Sequence, residues 1–96
     1  MDTLLVGKNA KENDEIITKA KKQDQNAWWF HLEKTPSAHC ILFVDNPKEY
    51  LQEIKDIILQ HTHKAPKNQK MIYTQIKNVK KTNILGTVTI TKVQNF

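Results

Sequence analysis

His31, His39 and Cys40 are the side chains of this sequence best suited to acid–base or nucleophilic chemistry, with His61 and His63 further along. A Cys–His nucleophile requires thiol and imidazole to meet. His39 and Cys40 are neighbours in a segment that reads as a strand, and strand neighbours point to opposite faces. A cysteine in a buried strand is expected to be an inert small hydrophobe. His31 and His39 lie on the two arms of one hairpin, and whether they share a face depends on a register the sequence leaves open. A zinc site needs a third and fourth ligand at recognisable spacing, and none is present. The expectation is a chain without catalytic residues, metal or cofactor.

Two lysine constellations point to anion binding instead. Gly7-Lys8-Asn9 puts a glycine and a lysine at a strand-to-helix junction, where the free N–H groups of a helix start attract anions. It lacks the spaced glycines and Lys-Ser/Thr pair of a P-loop, and an ordinary turn with a cap would look the same. Lys77, Lys80 and Lys81, with Lys64, Lys67 and Lys70 upstream, could touch successive phosphates of a nucleic-acid strand, and Tyr73 offers a nearby ring for stacking. The bland alternative is a charged strand end that blunts a sheet edge. In the block Trp28-Trp29-Phe30-His31, alternation sends Trp28 and Phe30 to one face and Trp29 and His31 to the other. Such rings are core residues unless one face stays uncovered for bases.

The charge distribution agrees with a polyanionic partner. Residues 1–56 hold 8 lysines and 10 acids, whereas residues 57–96 hold 7 lysines and no acid. The net charge of +5 is therefore concentrated in the last forty residues. Every basic residue is lysine, which neutralises phosphate as a point charge; arginine, the residue that forks onto guanine edges, is absent. With 39% hydrophobic and 26% charged residues, the 96-residue chain suits one folded domain, not a disordered tail. The apolar runs at 27–30 and 40–44 are too short to cross a bilayer, and no signal peptide is evident. An intracellular, cytoplasmic protein is expected, and the single cysteine fits that compartment.

The elements that must position these residues follow from periodicity and punctuation. Residues 3–6 read as a strand ending at Gly7, followed by a helix capped by Asn9 with Glu12 completing a capping box, and a loop over 21–26. Residues 27–33 and 38–44 read as an antiparallel hairpin around Lys34-Thr35-Pro36-Ser37, apolar on both faces and hence central. A second helix is expected with Asn46 as N-cap, Pro47 in its first position and Glu49 closing the box. Its apolar face is Tyr50, Leu51, Ile54, Ile57, Ile58 and His61; His63 and Lys64 lie near its end, and Pro66 stops it. Residues 71–79 and 87–93 read as two further strands joined through a turn at 83–86. The expected fold is α+β: one compact domain over residues 1–96, with about five mostly antiparallel strands and two helices in the order β-α-β-β-α-β-β.

Four segments, in order, resemble the NFACT-R domain family. They are Gly7-Lys8-Asn9 with Asn13 and Asp14, then Trp29-Phe30-His31, then Pro36-Ser37-Ala38-His39, and finally Tyr73-Thr74 with Val79-Lys80-Lys81 and Gly86-Thr87-Val88. The resemblance implies an RNA-binding α+β domain which, in the large family members, serves ribosome quality control and helps hold tRNA on the ribosome. By position it makes Lys8, Asn9, Asn13, Trp29, His31, Ser37, His39, Lys80 and Lys81 candidates for the functional surface or for fixing the sheet behind it. Ala27 departs from the family's aspartate, the glycine of its Pro-Gly-Ser-His turn is missing, and the segment between Lys81 and Gly86 is shortened. The 96 residues hold no NFACT-N domain, helix-hairpin-helix module or coiled coil, so tRNA-guided tailing is not expected of them.

The leading reading is a module for structured RNA such as tRNA or rRNA, with Tyr73 and Lys77 joining the family-matched residues. DNA binding, docking on the ribosome as a protein-interaction domain, and a small enzyme using His31 or His39 stand as alternatives. Oligomeric state is left open.

Overall fold

The structure is a computed structural model that describes residues 3–62 and 69–96. The expectations on His63, Lys64, Pro66 and Lys67 lie outside the described residues. The chain runs β1 (Leu4–Gly7), α1 (Ala10–Gln23), β2 (Trp28–Leu32), β3 (His39–Leu42), α2 (Leu51–Gln60), β4 (Met71–Gln75), β5 (Val79–Lys81), β6 (Val88–Ile90) and β7 (Gln94–Asn95). The α+β class, the two helices and the five-stranded antiparallel sheet are as expected; the sheet order is β1-β3-β2-β4-β7.

Local chemistry explains the helix starts. Asn9 is extended and its Oδ1 accepts the Glu12 N–H at 2.9 Å, while the Glu12 carboxylate reaches back to the Lys8 N–H at 3.0 Å. α1 continues through Lys21–Gln23, past the point at which the sequence predicts a loop; Lys21 and Lys22 suit the negative end of the helix dipole. The second helix starts later than expected. Asn46 Oδ1 accepts the Lys48 N–H at 3.0 Å, a tight 3₁₀ turn follows over Lys48–Tyr50, and α2 proper begins at Leu51. The capping box with Glu49 gives way because Asn46 closes a shorter turn, a common way to open a helix. His61 is exposed at the helix end, outside the apolar stripe of Leu51, Ile54 and Ile58.

The central hairpin has the register Trp28↔Leu42, Trp29↔Ile41 and Phe30↔Cys40. Its parity divides the core between two faces. Phe30, Leu32, Cys40, Leu42, Met71 and Tyr73 pack against α2, whereas Trp29, Ile41 and Ile76 pack with Ile17, Ala20 and Val79 on the α1 side. Covering both faces is what allows β2 and β3 to be apolar throughout.

The C-terminal third departs from expectation. The single strand expected over 71–79 breaks at a 3₁₀ turn, Ile76–Asn78, whose Ile76 N–H bonds Ala27 O at 2.7 Å. This turn lifts the chain off the main sheet, so β5 pairs with β6 in a separate two-stranded sheet lying over the Trp29 face. The strand expected over 87–93 pairs only at Val88–Ile90. Lys92, at φ 54°, turns the chain back, and β7 supplies the fifth strand of the main sheet.

Candidate nucleic-acid interface

The β5–β6 hairpin lies along α1, and that contact gathers cations. Lys81 Nζ is 2.9 Å from Asp14 Oδ2 and also bonds Thr18 Oγ1. Asp14, Thr18 and Lys21 fall on one face of α1 at spacings of four and three. Lys21 is held below the usual lysine range, first by partial burial and then by the charges of Lys80 and Lys81. Lys21, Lys80 and Lys81 therefore form one positive cluster, with Asp14 paired to Lys81 at its edge. The sequence reading had Lys80 and Lys81 but missed Lys21, whose helical spacing from Asp14 carries no message until β5 is known to lie alongside. Lys77, at the turn before β5, reaches Asn26 Oδ1 at 3.3 Å.

The family-matched residues of the N-terminal half also converge, but most do so inside the protein. Gly7 pairs with His39 across β1 and β3. A Cβ at Gly7 would sit 2.2 Å from Asn13 Oδ1, so glycine is needed for α1 to approach this closely. Asn13 is buried and its Oδ1 accepts the His39 N–H at 3.3 Å. Trp29 Nε1–H donates to His39 Nδ1 at 3.2 Å, and the Trp29 indole lies parallel to His31 with centroids 5.6 Å apart. His31 and His39 do share a face, their rings meeting edge-on at 4.8 Å. Ser37 Oγ accepts the Leu32 N–H at 3.1 Å and donates to Ala38 O, which shapes the turn between β2 and β3.

These contacts fix the protonation states. Burial, reinforced by the nearby His31, pushes His39 down to about 3. His31 is lowered mainly by burial, against the opposing effect of its 2.6 Å contact with Leu32 O. Burial pushes the Cys40 thiol up to about 12, and Cys40 faces α2, away from His39. Among the described residues no group of three or more His, Cys, Asp or Glu side chains could hold a metal.

Two of the candidates take corrected roles. Tyr73 is only 5% exposed, its ring set beside Phe30 and Trp28 and its hydroxyl donating to Gln94 Oε1, so it offers no open stacking face. Trp29 is 1% exposed beneath α1 and the second sheet, so it too is no open platform. Lys8 and Asn9 remain exposed, on a cleft of about 320 Å³ shared with Asn13, Ser37, His61 and Thr62. Lys8-Asn9 and Pro36-Ser37-Ala38, from two of the family-matched segments, thus meet at one cleft.

The model of the NFACT protein RNA binding domain matches residues 1–91. The chain belongs to the NFACT RNA-binding domain family. Its class is accordingly that of an RNA-binding module. Among curated relatives, the domain is 32% identical over 89 residues to coiled-coil domain-containing protein 25 of Bos taurus, spanning 83% of this chain and 41% of that protein. It is 30% identical over 83 residues to Rqc2 homolog RqcH of Bacillus subtilis, spanning 84% of this chain and 14% of that one. The chain thus covers less than half the length of either relative. The solved C-terminal part of the fibronectin/fibrinogen-binding protein from Streptococcus suis superposes with a TM-score of 0.78 at 22% identity, over 97% of this chain and 39% of that one, a likeness of fold. Among the described residues no helix of this NFACT RNA-binding domain is long and apolar enough to cross a membrane.

Proposed function

We propose that the domain binds structured RNA, tRNA or rRNA, in translation or ribosome quality control, and that it holds the RNA by lysine–phosphate contacts. The observation that carries the reading is the Lys21/Lys80/Lys81 cluster on the open side of α1 in a chain of an RNA-binding family. Lys8 and Asn9 at the far end of the same helix extend the surface, and Lys77 flanks it. Phosphate contacts fix position without reading sequence, and RNA is distinguished from DNA by shape and 2′-hydroxyls. The relationship to RqcH supports the ribosomal setting, and docking on the ribosome would place the domain beside rRNA.

Lys81 is a poor residue to test because it also ties β5 to α1 through Asp14. Lys21→Glu combined with Lys80→Glu is the informative pair. The double variant keeps its thermal midpoint within a few degrees, loses RNA affinity, and lowers the slope of log K against log salt by roughly one for each phosphate contact removed. Unchanged affinity and slope in a folded double variant would exclude this cluster as the RNA surface.

A further inference from the structure

A second cleft, of about 380 Å³, opens on the Trp29 side of the main sheet between the β2–β3 turn and the β5–β6 hairpin. Trp29, His31, Ile72, Val88 and Ile90 line it, and Lys34 stands at its mouth. Its volume is at the lower end of the range for small-molecule sites, enough for one planar heterocycle. We propose that this cleft receives one unpaired nucleobase of the bound RNA, an inference that rests on the RNA-binding reading above.

Three features select a base. The half-buried His31 ring, backed by the parallel Trp29 indole, borders the cleft between aliphatic walls, an environment suited to an unstacked base. His31 Nδ1 is committed to Leu32 O at 2.6 Å, which leaves Nε2 as a lone-pair acceptor without a partner among the described residues, suited to a base N–H. The lowered basicity of His31 keeps that lone pair free at neutral pH. The lining carries no carboxylate, and exposed Lys34, held at φ 58°, sets a cation where the phosphate flanking an inserted base would lie. An acid-free cleft with a lysine at its mouth is complementary to a polyanion.

The test uses two labelled RNA hairpins that differ at one nucleotide. One carries a single-adenosine bulge, the other an abasic residue at the same position, so length, charge and backbone are matched. The 96-residue protein is expected to bind the adenosine bulge about tenfold tighter, at the low end of what stacking one base contributes. Val88→Phe, which fills the cleft from the hairpin side, should erase that preference while leaving affinity for the abasic hairpin unchanged. Equal wild-type affinity for the two hairpins overturns the base-pocket proposal and leaves RNA binding intact. Binding to neither overturns the RNA reading itself. Because the wild-type comparison decides the question, an unfolded variant would not rescue the proposal.

Discussion

His39 is the residue whose chemistry differs most from what its type suggests. An imidazole with an ordinary value near 6.5 is held near 3, neutral, accepting from Trp29 and facing His31. Its folded value lies below its unfolded one, so between those values the unfolded chain binds the extra proton. The stability it contributes is complete above pH 6.5 and is lost as pH falls from there toward about 3. The expected loss is about 1.4 kcal/mol per pH unit, and His31, also lowered, adds in the same direction. Urea denaturation at pH 7, 5.5 and 4.5 checks this against His39→Gln, which keeps an acceptor for Trp29 but cannot titrate. The variant should lose about one proton's worth of slope; the same slope in both proteins would mean that His39 is charged in the fold. The sequence showed both histidines and the hairpin, but their shared face needed the register, which depends on Ser37 and the left-handed Lys34 in the turn. Lys81 is the converse case: its type suggested a phosphate contact, and the fold also gives it Asp14.

Among the elements, the β5–β6 hairpin contributes most that the sequence did not disclose. α1, the central hairpin and most of α2 were legible because caps, a proline and apolar periodicity all act within a few residues. The break at Ile76–Asn78 was not, because each residue in it is compatible with a strand and the turn is set by distant bonds to Ala27 O and Gln25 O. A two-residue β7 has no periodicity to read. The turn end of the hairpin is seated on α1 by Lys81 against Asp14 and by Gly86 against Ala10. Gly86 has φ 80°, and a Cβ there would lie 2.7 Å from the Ala10 Cα. Gly86→Ala therefore combines a left-handed alanine with a backbone clash. It is expected to cost more than about 1 kcal/mol, with the thermal midpoint falling by several degrees. Thermal unfolding followed by circular dichroism measures it. An unchanged midpoint would mean that the hairpin is not seated on α1 as described.

At the scale of the whole molecule, a scaffold and a surface are kept apart. Asn13, Trp29 and His39 are buried and hold α1 against the sheet, while Lys21 on that helix, Lys8 just before it and Lys80 on β5 border solvent. The chain's lopsided charge hinted at this surface, but the sequence placed the cations in one C-terminal stretch, and the fold adds Lys21 from the N-terminal half. Fluorescence anisotropy with labelled tRNA and with duplex DNA of matched length and charge, titrated across a salt series, tests the central claim most directly. The account predicts tighter binding to tRNA than to DNA, weakening steeply as salt rises because lysine–phosphate contacts release counterions. Equal or tighter binding to DNA would contradict the RNA preference. Binding to neither at low salt would make the lysine cluster a solvated face and contradict the account at its centre.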